Sequence, residues 1–201
     1  MEKDHPFAHE AGVYIPDQGV VYVTSNRHLP SGADEKTIKI SKISRQHDGS
    51  WQSDEVPAAV PMGNGGINYR SGVLFCAQGT LSEAGGLIYM ETASPYAIST
   101  LIDSYHGRLF NSVNDLVIHT DGSIWFTDPI YGYEQGFRNK PQLPSQVYRF
   151  DPVSGDVRVV ADGFGRPNGL CFSPDEATMY ITDTDWIHGG TGADPSRVST
   201  M

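Results

Sequence analysis

The sequence predicts an all-β chain built as a β-propeller, with about four blades in its 201 residues. Three observations predict it. Helical periodicity is nearly absent: the longest candidate, Tyr96 to Tyr105, follows Pro95 and carries several β-formers. Short apolar or aromatic runs are separated by Gly, Pro, Asp and Asn, the residues of strands and tight turns. Those runs recur at an interval of about 50 residues, the length of a four-stranded blade.

The repeat can be followed along the chain. Four runs share one pattern: Gly19-Val-Val-Tyr-Val-Thr-Ser-Asn26, Gly72-Val-Leu-Phe-Cys-Ala-Gln-Gly79, Gly122-Ser-Ile-Trp-Phe-Thr-Asp-Pro129 and Ala177-Thr-Met-Tyr-Ile-Thr-Asp-Thr184. Each follows a shorter run that opens at Glu10, Asn64, Asn114 or Asn168. A third strand is expected from Thr37, Gly86, Gln146 and Arg197, and a fourth at Val157–Val160 after the turn Asp151–Asp156. The blades then lie near 9–57, 58–110, 111–163 and 164–201. A β-sandwich would also have short, turn-rich strands, but it gives no reason for a regular period. Alignment of Ser145–Asp151 with Ser196–Met201 puts the end of the sequence inside a third strand, so an incomplete propeller is expected.

Composition narrows the function. With 24 acidic residues against 14 basic ones the formal net charge is −10, which argues against a nucleic-acid partner. No apolar stretch approaches the roughly 18 residues of a membrane span, so no membrane partner is expected. The start Met1-Glu2-Lys3-Asp4-His5 is polar and lacks a signal core, which favours a soluble, cytoplasmic location. Cys76 and Cys171 lie in apolar runs of non-adjacent blades and are expected to be reduced and buried.

The blade register brings Glu10, Asn64, Asn114 and Asn168 to one equivalent position on the innermost strands. In a propeller such positions form a ring around the central channel. One carboxylate and up to three amide carbonyls would converge there, an all-oxygen set suited to calcium before magnesium and not to zinc. Each residue alone also has an ordinary reading, since Asn and Asn-Gly open strands and turns. Asp128, Tyr131 and Tyr133 follow the third blade's second strand and are placed at the channel mouth, or else in a polar turn. His9 adjoins Glu10 but should face the other way on a strand, so a zinc protease is unsupported. No Gly-x-Ser-x-Gly nucleophile elbow is present.

Four motifs carry a resemblance: His9-Glu10-x-Gly-Val-Tyr, Phe110-Asn-Ser-Val-Asn-Asp-Leu116, Asp121-Gly-Ser-Ile-Trp-Phe-Thr-Asp-Pro-x-Tyr-Gly132, and Arg166-Pro-Asn-Gly-Leu170 with Ser173-Pro-Asp175. Together they resemble the gluconolactonase and regucalcin (senescence-marker-like) family, and Tyr131–Phe137 is most similar to its fungal lactonohydrolase branch. Paraoxonase-type lactonases are more distantly similar. The resemblance implies a six-bladed propeller, a divalent cation in the channel, usually calcium, and hydrolysis of a small-molecule lactone. By the same resemblance Glu10 and Asn168 are metal ligands and Asn114 contacts metal or substrate. From their own places in the repeat, Asn64, Asp128 and Tyr131 are put on the substrate side. The family's remaining aspartate, its proposed base, belongs to a later blade, so this chain alone is expected to have little turnover. The alternatives are a propeller that binds metal or small molecules without catalysis, and a scaffold for protein partners.

Overall fold

The computed structural model describes residues 5–190 and 192–201, so the polar start Met1–Asp4 lies outside the described residues. The fold is an all-β propeller of four-stranded antiparallel sheets, each a meander in sequence order. The first blade contains β1 (Glu10–Ile15), β2 (Val20–Thr24), β3 (Ile40–Arg45) and β4 (Trp51–Val56). The second contains β5 (Gly63–Tyr69), β6 (Gly72–Ala77), β7 (Gly86–Met90) and β8 (Ile98–Ile102). A small ribbon, β9 (Ser104–Tyr105) with β10 (Arg108–Leu109), leads into the third. Tyr96–Tyr105 thus supplies strand and no helix.

The third blade contains β11 (Leu116–Ile118), β12 (Ile124–Asp128), β13 (Gln146–Phe150) and β14 (Val157–Ala161), with a short helix α1 (Tyr131–Glu134) between β12 and β13. Beyond it lie β15 (Pro167–Phe172) and β16 (Met179–Asp183), then the ribbon β17 (Ile187–His188) and β18 (Gly192–Ala193). Asp183 pairs with Thr200, where the equivalent Asp128 pairs with Gln146. The third-strand position of this unit therefore falls at Thr200, not at Arg197 as expected. Residues 194–197 instead form a turn: the Arg197 N–H donates to the Asp194 carbonyl, and the Asp194 carboxylate accepts from the Ser196 N–H.

The inner strands touch in succession, β1 with β5, β5 with β11 and β11 with β15. Between the blades lie two apolar layers, and β6 contributes to both because its side chains alternate across the sheet. Val73, Phe75 and Ala77 pack with Val13, Tyr22, Ile40 and Met90. Leu74 and Cys76 pack with Phe110, Leu116, Phe126 and Tyr148. Burying a side chain of this size contributes about 1.5–3 kcal/mol.

The same alternation corrects one expectation. Cys76 is buried as expected, but Cys171 is exposed; both are free thiols. Leu170 and Phe172 point inward, Phe172 with its ring 5.4 Å from Trp125 of the third blade, which turns Cys171 to the opposite face of β15.

Candidate functional site

The inner strands do not run straight. Register shifts between Glu10 and Val13, between Gly63 and Gly66, and between Pro167 and Leu170. An extra residue at such a point bends the strand and re-aims a side chain. In the first blade the bulge places Ala11 in the left-handed region, at φ 53. In the third, Asn114 N–H donates to the Thr127 carbonyl and Thr127 N–H to the Asp115 carbonyl, so two residues oppose one there as well.

Neighbouring blades use the backbone carbonyls of the aligned asparagines as their attachment points. Thr24 Oγ1 donates to the Asn64 carbonyl at 2.9 Å and Thr127 Oγ1 to the Asn168 carbonyl at 2.8 Å. The second blade has Ala77 at the corresponding place, and the Asn114 carbonyl takes the Gly65 N–H at 2.9 Å instead. Only glycine fits there: a Cβ on residue 65 would stand 2.6 Å from the Asn114 carbonyl oxygen and 2.8 Å from Asp115 Oδ1.

The loops ahead of two of these asparagines are held by a repeated clamp. Asp128 accepts from the N–H groups of Asn111 and Ser112 at 2.9 and 2.7 Å. Asp183 does the same for Gly165 and Arg166, again at 2.9 and 2.7 Å. The clamped residues stand three and two positions before Asn114 and Asn168. Asp128 is fully buried and does not line the cavity described below, which corrects its placement on the substrate side. Both of its oxygens are turned to the backbone.

Burial pushes the Asp128 carboxyl up to about 7, against the pull of the two N–H donors and of Arg138. A folded-state value above the unfolded 3.8 means that the folded chain retains a proton the unfolded one releases. This stabilisation is complete below the unfolded value and is lost as pH rises toward 7. Asp128→Asn keeps the volume but turns an NH₂ toward an N–H donor, and it is expected to cost about 1–3 kcal/mol. In urea unfolding, the deficit of the variant relative to the parent is expected to shrink between pH 5 and pH 7.5. A deficit that grows would show that the N–H bonds outweigh burial.

Glu10, Asn64, Asn114, Asn168 and Tyr131 line one cavity of ≈ 340 Å³, so the ring drawn from the repeat does share a single space. His9 lines it too, its Nε2 3.9 Å from Glu10 Oε1, because β1 begins only at Glu10 and its pleat is broken at Ala11; the expectation that His9 faces away is corrected. The Glu10 carboxyl is raised by burial and by Asp115, with His9 opposing. Asp115 is itself raised by burial. Asn64 Oδ1 accepts its neighbour's N–H from Gly65 at 3.0 Å. The side-chain amides of Asn114, which is buried, and Asn168 have no hydrogen-bond partner among the described residues.

Tyr131 opens α1, and its hydroxyl bonds to Thr184 Oγ1. Arg166 ties the same helix down, pairing with Glu134 on one side and with Asp185 at 2.5 Å on the other. No group of three or more His, Cys, Asp or Glu side chains suited to a metal ion gathers among the described residues. A cation in this cavity would rest on Glu10 together with amide oxygens, and that donor set fits a hard ion.

A propeller whose inner strands aim a glutamate and three asparagines into one cavity defines the class, and residues 2–186 match the SMP-30/gluconolactonase/LRE-like region. The chain belongs to that family. It is 35% identical over 184 residues to the lactonohydrolase oryL of Aspergillus oryzae, covering 88% of this chain and 41% of that protein. To the gluconolactonase of Zymomonas mobilis it is 38% identical over 89 residues, 43% of this chain and 25% of that one. The solved structure of a gluconolactonase from Xanthomonas campestris superposes with a TM-score of 0.65 at 25% identity, covering 90% of this chain and 56% of its own. The chain thus spans less than half the length of these curated relatives. No helix among the described residues is long and apolar enough to cross a membrane.

Proposed function

We propose that the cavity is the site of a calcium-dependent lactone hydrolase, with Glu10, Asn114 and Asn168 as cation ligands, Asn64 beside them and Tyr131 in the substrate wall. The observation that carries this reading is the one cavity that Glu10, Asn114 and Asn168 line together, with no hydrogen-bond partner on the Asn114 and Asn168 amides among the described residues. The relatives described as lactonohydrolase and gluconolactonase point to a cyclic ester as substrate. Bound calcium would supply a Lewis acid for the ester carbonyl.

The chain's own residues set the geometry. The Asp128 and Asp183 clamps fix the loops that lead into Asn114 and Asn168, so the amides need no rearrangement when a ligand arrives. Thr184 holds the Tyr131 hydroxyl, and Arg166 holds α1 behind it. Glu10 is the one acidic side chain lining the cavity among the described residues.

The test measures lactone binding and acid release over a panel of five- and six-membered lactones, with calcium and after chelation, beside a full-length fungal relative. Binding is expected to require calcium, with chelator-sensitive acid release far below that of the relative. Binding that ignores chelation, or no binding of any lactone, contradicts the reading.

A further inference from the structure

Arg27 has no part in the site as described. It lies on the loop between β2 and β3, half-buried, where it lines both the ≈ 340 Å³ cavity and an adjoining hollow of ≈ 320 Å³. Its guanidinium carbon stands 4.6 Å from the centroid of the Phe137 ring. A cation–π contact of this kind takes up none of the N–H donors in a hydrogen bond. None of those donors has an acceptor among the described residues. Asp34 and Glu35 line the adjoining hollow without forming an ion pair with it. The other buried guanidinium groups differ. Arg138 donates to four backbone carbonyls, and Arg166 pairs with two carboxylates. Arg27 is therefore held against Phe137 with its N–H donors unused, at the wall of a cavity that Glu10 and the asparagine amides also line.

We infer that Arg27 is the anion-binding fork of this pocket, and that the lactone it takes carries a carboxylate outside the ester ring. The inference rests on the lactone reading above and names its substrate class. On a chain of net charge −10 an anionic ligand needs a local cation to be held. A planar fork with free edge donors matches a carboxylate through two parallel hydrogen bonds. A neutral lactone would leave those donors unmatched. His9, His188 and Glu10 line the same cavity, and the ester is placed beside Glu10.

The test compares a γ-butyrolactone bearing a ring carboxylate with the same lactone bearing a carboxamide. Binding is followed by calorimetry with the calcium-treated chain, its Arg27→Gln variant and its Arg27→Lys variant, each checked for folding by circular dichroism. The parent is expected to bind the carboxylate about tenfold more tightly than the carboxamide. In R27Q the two affinities should converge, and R27K should keep part of the difference. Equal affinities in the parent, or a preference that survives R27Q, overturn the role of Arg27 while leaving the lactone reading in place. Failure of the parent to bind either compound overturns both.

Discussion

Replacing Arg138 by alanine is expected to lower the free energy of unfolding by about 3–5 kcal/mol, the usual cost of removing one partner from a buried charged network. Arg138 leaves the segment after α1, in the third blade, and reaches back to the second. Its Nη1 donates to the carbonyls of Thr80 and Glu83 at 2.8 and 2.9 Å. Its Nη2 and Nε donate to Phe110 and Asn111 at 2.7 and 2.8 Å. The side chain is buried, so truncation strands four carbonyls where water cannot serve all of them. It also removes the cation that favours ionised Asp128. Arg138→Lys keeps the charge and loses the fork, and it should fall between the parent and the alanine variant. Urea unfolding of the three proteins decides the matter. A loss below about 1 kcal/mol for the alanine variant would mean that the apolar layers alone hold these blades together.

The second large effect concerns the ring itself. Glu10→Gln is expected to weaken calcium binding by about 10²-fold, because affinity at oxygen sites follows the number of charged ligands and the mutation removes the one acidic group lining the cavity. Gln keeps a carbonyl oxygen and nearly the same volume, so the loss reports charge and not shape. Without calcium the sign reverses. Burial and Asp115 both disfavour the Glu10 carboxylate, so the amide should leave the chain as stable as the parent or more stable. A variant that binds calcium normally, or one that is simply unfolded, contradicts this account.

Much of this was legible in the sequence, for a physical reason. Period-2 alternation and turn residues are local signals, and they return every blade, so the strands around Val20–Thr24, Gly72–Ala77, Ile124–Asp128 and Met179–Asp183 share one register along the sequence. Once aligned, the inner-strand positions had to share a space, and Glu10, Asn64, Asn114 and Asn168 do. What failed depends on partners far away in the chain. Cys171 sits in an apolar run like that of Cys76, yet β6 has a blade on each face while Cys171 turns away from the third blade. Asp128 stands at the end of β12 ahead of Tyr131 and Tyr133, a place that suggested a channel mouth, but its oxygens serve residues 16 and 17 positions back. The repeated Thr-Asp of β12 and β16 was a usable sign of that clamp. Arg27 and Arg138 had no repeat to mark them, since each is defined by what it meets in another blade.

The most direct measurement is a calorimetric titration of calcium into the chelator-stripped chain, repeated with Glu10→Gln and Asn168→Ala. Saturable binding at one site is expected in the parent, weakened about 10²-fold by the first substitution and clearly reduced by the second. No binding to the parent, or binding that both variants retain in full, would show that Glu10, Asn114 and Asn168 share a cavity without forming a cation site.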